Sequence, residues 1–184
     1  MQNYKDILAE ILVDEKALQS RIVELGAEIS ADYPDGNLLL VCILRGGVPF
    51  LVDLSRNITA PHMMDFMAVS SYGAGKRESS GAVRVTMDLQ MDIHDKDVLL
   101  VEDIVDSGNT IASVLELLQV RQPRTLKVCA LLDKPERRET VVPIHYRGFE
   151  IPNKFVFGYG LDLDEYYRNL PFVGVVDLQK YKPD

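Results

Sequence analysis

An uninterrupted apolar run of seven residues, LLLVCIL at positions 38–44, constrains the fold of this chain more than any other feature. Turn-forming residues bound it on both sides, PDG at 34–36 and RGG at 45–47. A strand that is apolar on both faces must be covered on both faces, which is typical of a parallel sheet flanked by helices. The run is far shorter than the roughly 20 apolar residues that span a bilayer.

The segments around this run alternate between helical and strand patterns. Residues 14–33 carry apolar side chains at helical spacing after Asp14, a suitable N-cap, and therefore predict an amphipathic helix. Helices are also predicted over 48–57, with Pro49 in the first turn, and from about 111 to 120. Strands are predicted over 38–44, 63–70, 83–87, 98–101, 126–132 and 173–177. This order predicts an α/β fold with a mostly parallel, Rossmann-like sheet flanked by helices.

The length of 184 residues fits one domain, and no linker or internal repeat divides it. We expect a core over about 36–150 and a small hood lobe built from about 1–13 and 151–184. Residues 70–82 concentrate glycine, serine and charge, which predicts a mobile lid between two strands.

Composition narrows the function classes. The formal net charge of −8 argues against a general nucleic-acid binder, and the N-terminus lacks the pattern of a signal peptide. Cys42 and Cys129 lie far apart inside apolar runs and fit no metal or redox spacing. We expect buried reduced thiols, a cytoplasmic protein, and neither nucleic acid nor membrane as a partner.

The most informative segment is VEDIVDSGNT at positions 101–110, where a predicted strand leads into Glu102 and Asp103, then Asp106. Ligands of open α/β sheets bind outside the carboxyl ends of the strands. The SGNT turn opens a helix and offers hydroxyls and free N–H groups to a phosphate. Acids beside a phosphate site predict a sugar diol and Mg²⁺ between them. The alternative is that Asp103 and Asp106 only cap the helix. Helix capping does not require two acids at a strand end followed by DSGNT, so this pattern disfavours that alternative.

The same segment resembles the phosphoribosyl pyrophosphate (PRPP) signature of type I phosphoribosyltransferases. The likeness to the hypoxanthine(-guanine) branch covers nearly the whole chain. It includes VELGAEI at 23–29, LRGG at 44–47, SYG at 71–73, IPNKFVFGYGLD at 151–162 and EYYRNL at 165–170. The C-terminal block is the part that selects a 6-oxopurine salvage enzyme.

The resemblance implies roles for the signature residues. Glu102 and Asp103 would hold the ribose hydroxyls, with Mg²⁺ bridging the diol and the pyrophosphate. Asp106 would be the general base at N7 of the purine. The 5′-phosphate would be bound by Ser107, Gly108, Asn109 and Thr110. The implied reaction transfers 5-phosphoribosyl from PRPP to a 6-oxopurine base and releases pyrophosphate.

Residues outside the signature receive roles in the same way. Lys134 would donate to the purine O6, Phe155 would stack on the base, and the carbonyl of Val156 would face C2. Asp162 would lie beside the base and hold a second Mg²⁺. The pyrophosphate would be bound by Arg45, Gly46 and Arg168, with Ser71 and Tyr72 of the lid. The family also implies a cis peptide bond after Leu44 and a homodimer or homotetramer.

Three positions depart from the common family pattern. Asn109 stands where many relatives carry lysine or another residue, Arg45 stands where several carry lysine, and Leu163 replaces a frequent tyrosine. Two other readings stay open at this point. One is a PRPP-sensing regulator that binds nucleic acid with the same fold, and the other is phosphoribosyl transfer to xanthine or another base.

Overall fold

A central sheet organises the molecule. The computed structural model describes residues 2–71 and 83–183, and the backbone alone at Ser71. In chain order, the elements are α1 (Tyr4–Ile7), β1 (Leu8–Val13), α2 (Glu15–Asp32), β2 (Leu38–Ile43), α3 (Val48–Asn57), β3 (His62–Ser71), β4 (Val83–Met87), β5 (Asp97–Val105), α4 (Asn109–Gln119), β6 (Thr125–Asp133), a 3-10 turn (Pro135–Arg137), β7 (Tyr146–Glu150), β8 (Val156–Phe157) and β9 (Val173–Val176).

The described strands of the central sheet follow the order β4-β3-β2-β5-β6-β7. Each neighbouring pair from β3 to β7 is parallel, and β4 pairs with β3 in the antiparallel direction. The predicted α/β class with a mostly parallel sheet is therefore confirmed. Because the parallel strands all end at the same edge, this carboxyl edge collects the residues that follow β2, β5 and β6.

The two faces of the sheet are covered by different helices. On one face, the core includes side chains of α2 and α3, among them Leu18 and Leu51, and on the other it includes Val114 of α4. Successive residues of β2 belong alternately to these two cores, and all six are buried. This double burial is the reason why the run at 38–44 contains no polar residue.

A second, antiparallel sheet has the order β1-β9-β8 and combines strands from both ends of the chain. We call the part formed by this sheet and the loops between β8 and β9 the hood. A separate apolar cluster lies beneath it and includes Ile7, Phe157, Leu163 and Leu170. The predicted small lobe from the two termini is present, while the residue limits given for core and hood stay predictions.

Two predicted boundaries were wrong in an instructive way. Strand β5 was predicted to end at 101 but continues through Glu102 and Asp103 to Val105, and α4 begins at Asn109 and not near 111. The extension occurs because β6 goes on pairing with β5, up to Val105 opposite Asp133, after β2 has ended. The two acids therefore belong to a rigid strand.

Other expectations have simpler outcomes. Helix α2 begins after Asp14, whose Oδ1 accepts a hydrogen bond from the backbone N–H of Ala17 at 2.8 Å, as predicted. Over the described ranges, every helix is too short or too polar to cross a bilayer. Most of the predicted lid, residues 72–82, lies outside the described residues.

Candidate active site

The end of β5 extends beyond its neighbour β2 and forms one wall of the candidate site; we call its two acidic residues, Glu102 and Asp103, the floor. Cys42 of β2 is paired with Val101, the last β5 residue in that ladder, so Glu102 and Asp103 extend past the end of this pairing. Glu102 is buried, with 6% of its surface exposed, and Asp103 is partly buried. The Oε1 atom of Glu102 has no hydrogen-bond partner among the described residues. A buried acceptor of this kind is suited to a cation or a hydroxyl that a ligand brings.

Burial also changes the acidity of the two floor residues. Desolvation, with a smaller contribution from the Asp103 charge, raises the pKa of Glu102 well above its usual range. Desolvation raises the pKa of Asp103 to about 6, although the backbone N–H of Ile104 and the charge of Arg168 oppose the shift. The floor therefore holds carboxylates whose charge is not balanced by the protein alone.

The loop after β2 passes directly over this floor. A Cβ atom on Gly46 would lie 1.7 Å from Oδ2 of Asp103, so a larger residue there would force the carboxylate to shift. The Leu44–Arg45 peptide bond is cis, in agreement with the family resemblance. Arg45 and Gly46, both predicted to bind pyrophosphate, are thus adjacent to the floor acids.

The predicted phosphate loop forms the beginning of α4. Gly108 is the N-cap in a left-handed conformation, and a Cβ there would lie 2.3 Å from the carbonyl oxygen of Thr140. The first N–H groups of a helix have no partner within the helix and are available to an anion. Asn109 donates to Glu139 at 2.8 Å and accepts from the hydroxyl of Thr140 at 2.5 Å. Its side chain is therefore used to fix the loop.

A cavity of about 180 Å³ connects the floor with this loop. It is lined by Glu102, Ile104, Asp106, Ser107, Gly108, Thr110 and Ile111. Five of these residues were predicted to bind the phosphoribosyl group, and the structure brings them to one space.

Asp106 lies between two cations at the side of this cavity. Lys134 Nζ lies 3.7 Å from its Oδ2, and Arg137 Nε lies 3.0 Å from its Oδ1. Lys134 is buried, and its backbone N–H donates to the carbonyl of Val105, which holds it at the end of β6. The predicted base and the predicted purine O6 donor are therefore neighbours. Arg137 was not predicted.

A group of ion pairs centred on the buried Asp133 supports this segment. Asp133 is 2% exposed and binds the guanidinium groups of both Arg138 and Arg147, the latter at 2.9 Å. Arg138 also donates to the carbonyl of Val105 and packs next to Gly108. Sequence reasoning missed this group because its members look like ordinary surface charges. An aspartate at the end of an apolar strand, two residues from Leu131, was the available signal.

The hood contributes a second set of charged residues. Arg168 Nη2 lies 2.8 Å from Asp162 Oδ1, and its Nη1 donates to the carbonyl of Gly160. A Cβ on Gly160 would lie 2.0 Å from the carbonyl oxygen of Gly46, so this hood segment contacts the loop after β2 directly. Glu165 links the two, because its Oε2 lies 2.6 Å from Arg45 and 3.3 Å from Arg168. Glu165 lies in the matched segment 165–170, but no role was predicted for it.

The remaining predicted residues are less closely connected. Phe155 is 48% exposed, whereas the neighbouring Val156 is buried, and the carbonyl of Phe155 accepts from Val176 in the hood sheet. Ser71 is the last residue of β3, and Tyr72 lies outside the described residues. The roles given to all these residues stay predictions.

Comparisons with known proteins all find phosphoribosyltransferases. The family described as phosphoribosyl transferase domain matches residues 9–164. A hypoxanthine phosphoribosyltransferase of Salmonella typhimurium is 48% identical over 171 residues, 92% of this chain and 96% of the relative. A hypoxanthine-guanine phosphoribosyltransferase of Mycobacterium avium is 48% identical over 185 residues, 97% of this chain and 91% of the relative.

A solved structure shows the same fold. The crystal structure of a hypoxanthine phosphoribosyltransferase from Staphylococcus aureus superposes with a TM-score of 0.93 at 44% identity, covering 97% of this chain and 96% of that one. The sequence and the fold thus agree over nearly the full length, and the chain belongs to the phosphoribosyltransferase family, in its hypoxanthine and hypoxanthine-guanine branch.

Proposed function

We propose that this chain transfers 5-phosphoribosyl from PRPP to N9 of hypoxanthine, and of guanine as a second base, to give the nucleotide and pyrophosphate. The observation that carries the proposal is the common space described above. Asp106 lines a cavity together with Glu102 and the phosphate loop, and Lys134 Nζ lies 3.7 Å from the Asp106 carboxylate. A carboxylate that can accept a proton, a cation beside it that can donate to a base, and an anion site next to both are what base-to-ribose transfer requires.

In this proposal the floor and the loop hold the sugar phosphate while Asp106 handles the proton. The backbone and hydroxyl groups from Ser107 to Thr110 bind the 5′-phosphate, which places the ribose over the floor. Asp106 accepts the proton that the base loses as its nitrogen attacks C1′. Lys134 donates to the purine O6, which it can do while staying beside Asp106. Phe155 offers an exposed ring on which the base can stack.

The floor also suits Mg²⁺. Among the described residues, no three His, Cys, Asp or Glu side chains form a ready metal cage. Mg²⁺ in nucleotide sites commonly uses one or two carboxylates and takes its other ligands from water and phosphate oxygens. Glu102, with its unpaired buried oxygen, and Asp103 fit this donor set, and Asp162 is proposed as a second metal ligand. When bound, the ion neutralises charge on the departing pyrophosphate.

The test is turnover of the full chain with PRPP and Mg²⁺ against hypoxanthine, guanine, xanthine and uracil. We expect kcat/KM to be highest for hypoxanthine, with guanine next. Preference for xanthine or uracil would overturn the choice of base. Absence of any nucleotide product, together with tight RNA binding in a gel shift at physiological salt, would overturn the enzymatic proposal itself.

Two further proposals concern the setting of the reaction. We propose that copies of the chain associate, because exposed Met64 and Met87 lie on one face of the sheet near its edge, Met87 being paired with Ala68. Analytical ultracentrifugation distinguishes monomer, dimer and tetramer.

We also propose the cytoplasm as the compartment, which the two buried free thiols, Cys42 and Cys129, support.

A further inference from the structure

We propose that Glu165 is an internal counter-ion that competes with pyrophosphate for Arg45 and Arg168, and so limits the affinity of the site for pyrophosphate. The inference rests on the proposed function, because it takes these two arginines as the pyrophosphate ligands. Glu165 thereby becomes a residue that favours release of this product.

The contacts of Glu165 are the first support. A single atom, its Oε2, lies 2.6 Å from Nη2 of Arg45 and 3.3 Å from Nη2 of Arg168. The two arginines come from different parts of the fold, one from the loop after β2 and the other from the hood. One carboxylate therefore occupies donors of both groups that are proposed to meet the same ligand.

The backbone of this segment is the second support. Glu165 has a φ of 70° and the preceding Asp164 has a φ of 50°, both in the left-handed region that non-glycine residues rarely adopt. These two residues form a tight hairpin turn, because Leu163 and Tyr166 on either side of them exchange backbone hydrogen bonds at 3.1 and 3.0 Å. The N–H of Glu165 also donates to Oδ2 of Asp162 at 3.0 Å. The turn therefore fixes the position from which Glu165 contacts the two arginines.

The chemistry makes these contacts competitive with a ligand. A guanidinium group binds carboxylate and phosphate oxygens through the same N–H donors. Pyrophosphate therefore has to displace the Glu165 carboxylate before it can use those donors, and it also approaches a like charge.

The strength of the competition follows from exposure. The side chains of Glu165 and Arg45 are 61% and 66% exposed, so water screens the pair and competes for it. Ion pairs between such exposed groups are weak, and their loss corresponds to about a two- to fivefold change in an equilibrium constant. Glu165 therefore weakens pyrophosphate binding without blocking it.

The experiment measures binding of inorganic pyrophosphate to the full chain by isothermal titration calorimetry at fixed Mg²⁺ concentration. Glu165→Gln removes the charge and keeps the size of the side chain. Glu165→Asn also removes the charge, and asparagine accepts the left-handed conformation more readily. The matched control is Glu24→Gln, since Glu24 is 62% exposed and pairs with Arg21 at 2.8 Å on α2, away from the site.

We expect both Glu165 variants to bind pyrophosphate about two- to fivefold more tightly than the unmodified chain, and Glu24→Gln to bind with unchanged affinity. Unchanged or weaker binding by both Glu165 variants would overturn the proposal, because a residue that merely orients the arginines predicts weaker binding. Equal tightening by Glu24→Gln would also overturn it, because the effect would then be a general one of net charge.

The same samples separate this inference from the proposed function. If the Glu165 variants bind pyrophosphate more tightly but no variant forms nucleotide from hypoxanthine and PRPP, only the proposed function fails. If nucleotide forms normally while pyrophosphate affinity does not rise, only the role of Glu165 fails.

Discussion

The acidic floor and the charged hood loop both carry groups predicted to handle phosphates and metal, yet they are built in opposite ways. On the floor, Glu102 is buried, Asp103 is partly buried, and neither faces a cation that balances it fully. In the hood, Arg168 pairs with both Asp162 and Glu165, and Glu165, which also pairs with Arg45, is more than half exposed.

This difference indicates a division of labour. Groups that are desolvated before the ligand arrives need little reorganisation during the reaction, so they can stabilise a transition state strongly. Groups that are already paired and hydrated adjust their partners at small free-energy cost, so they tune binding. We therefore expect core variants to change kcat or stability strongly and hood variants to change binding moderately.

The largest expected effect lies on the core side of this comparison. Asp106→Asn should lower kcat about 10²- to 10⁴-fold, because amide nitrogen cannot accept the proton of the base. Stopped-flow or steady-state measurement of nucleotide formation with hypoxanthine checks this.

The control for this variant is Asp35→Asn. Asp35 lies in the exposed turn after α2, at the amino-terminal edge of the sheet, so the same chemical change there should leave kcat unaltered. Turnover of Asp106→Asn at the rate of the unmodified chain would show that another group moves the proton.

The second prediction concerns the free energy of unfolding, which the ionised floor residue Asp103 lowers. Burial raises the pKa of Asp103 to about 6 from an ordinary value of 3.8, so its ionised form is unfavourable in the folded chain. Without Mg²⁺ and substrates, Asp103→Asn should raise the free energy of unfolding at pH 7 by about 3 kcal/mol. Urea denaturation between pH 4 and 8 measures the difference, while the activity of the variant should fall.

The sign of the pH dependence follows from the direction of the shift. The favourable contribution of protonated Asp103 is complete below about pH 4 and is lost as the pH rises to about 6, so the advantage of Asp103→Asn appears across that interval.

Asp97, in the same strand, is the matched control. Its pKa is lowered, first by the hydrogen bond with Arg124, so Asp97→Asn should destabilise the chain at pH 7 and progressively less in acid. Equal behaviour of the two variants would contradict the contrast between paired and unpaired acids.

The sequence was sufficient for the fold class because its signals are local and strong. The run at 38–44 and the helical spacing after Asp14 each describe one element whose burial follows directly from its pattern. The end of β5 could not be placed in this way. Glu102 and Asp103 look like loop residues, and only pairing with β6 shows that they are strand residues.

The parts of the site that were missed depend on contacts between distant segments. Arg137 meets Asp106 only because β6 ends beside β5, and Glu165 meets Arg45 only because the hood folds back over the loop after β2. Neither contact leaves a pattern within one segment, and the resemblance to the family did not assign these residues either. Asn109 was predicted as part of the phosphate loop, but its hydrogen bonds to Glu139 and Thr140, again between distant segments, were not.

The smallest effect in this comparison belongs to Phe155, an exposed aromatic residue at the edge of the hood. Phe155→Ala should raise KM for hypoxanthine about tenfold and change kcat much less, because stacking of a base on an aromatic ring contributes about 1–3 kcal/mol to binding. Leu178→Ala, which shortens another exposed apolar side chain in the C-terminal segment, is the control and should leave KM unchanged. Since Phe155 is 48% exposed, its loss should alter the free energy of unfolding little, and thermal denaturation tests that. If Phe155→Ala instead lowered kcat as strongly as Asp106→Asn, the hood would take part in the chemical step and the division between rate and binding would not hold.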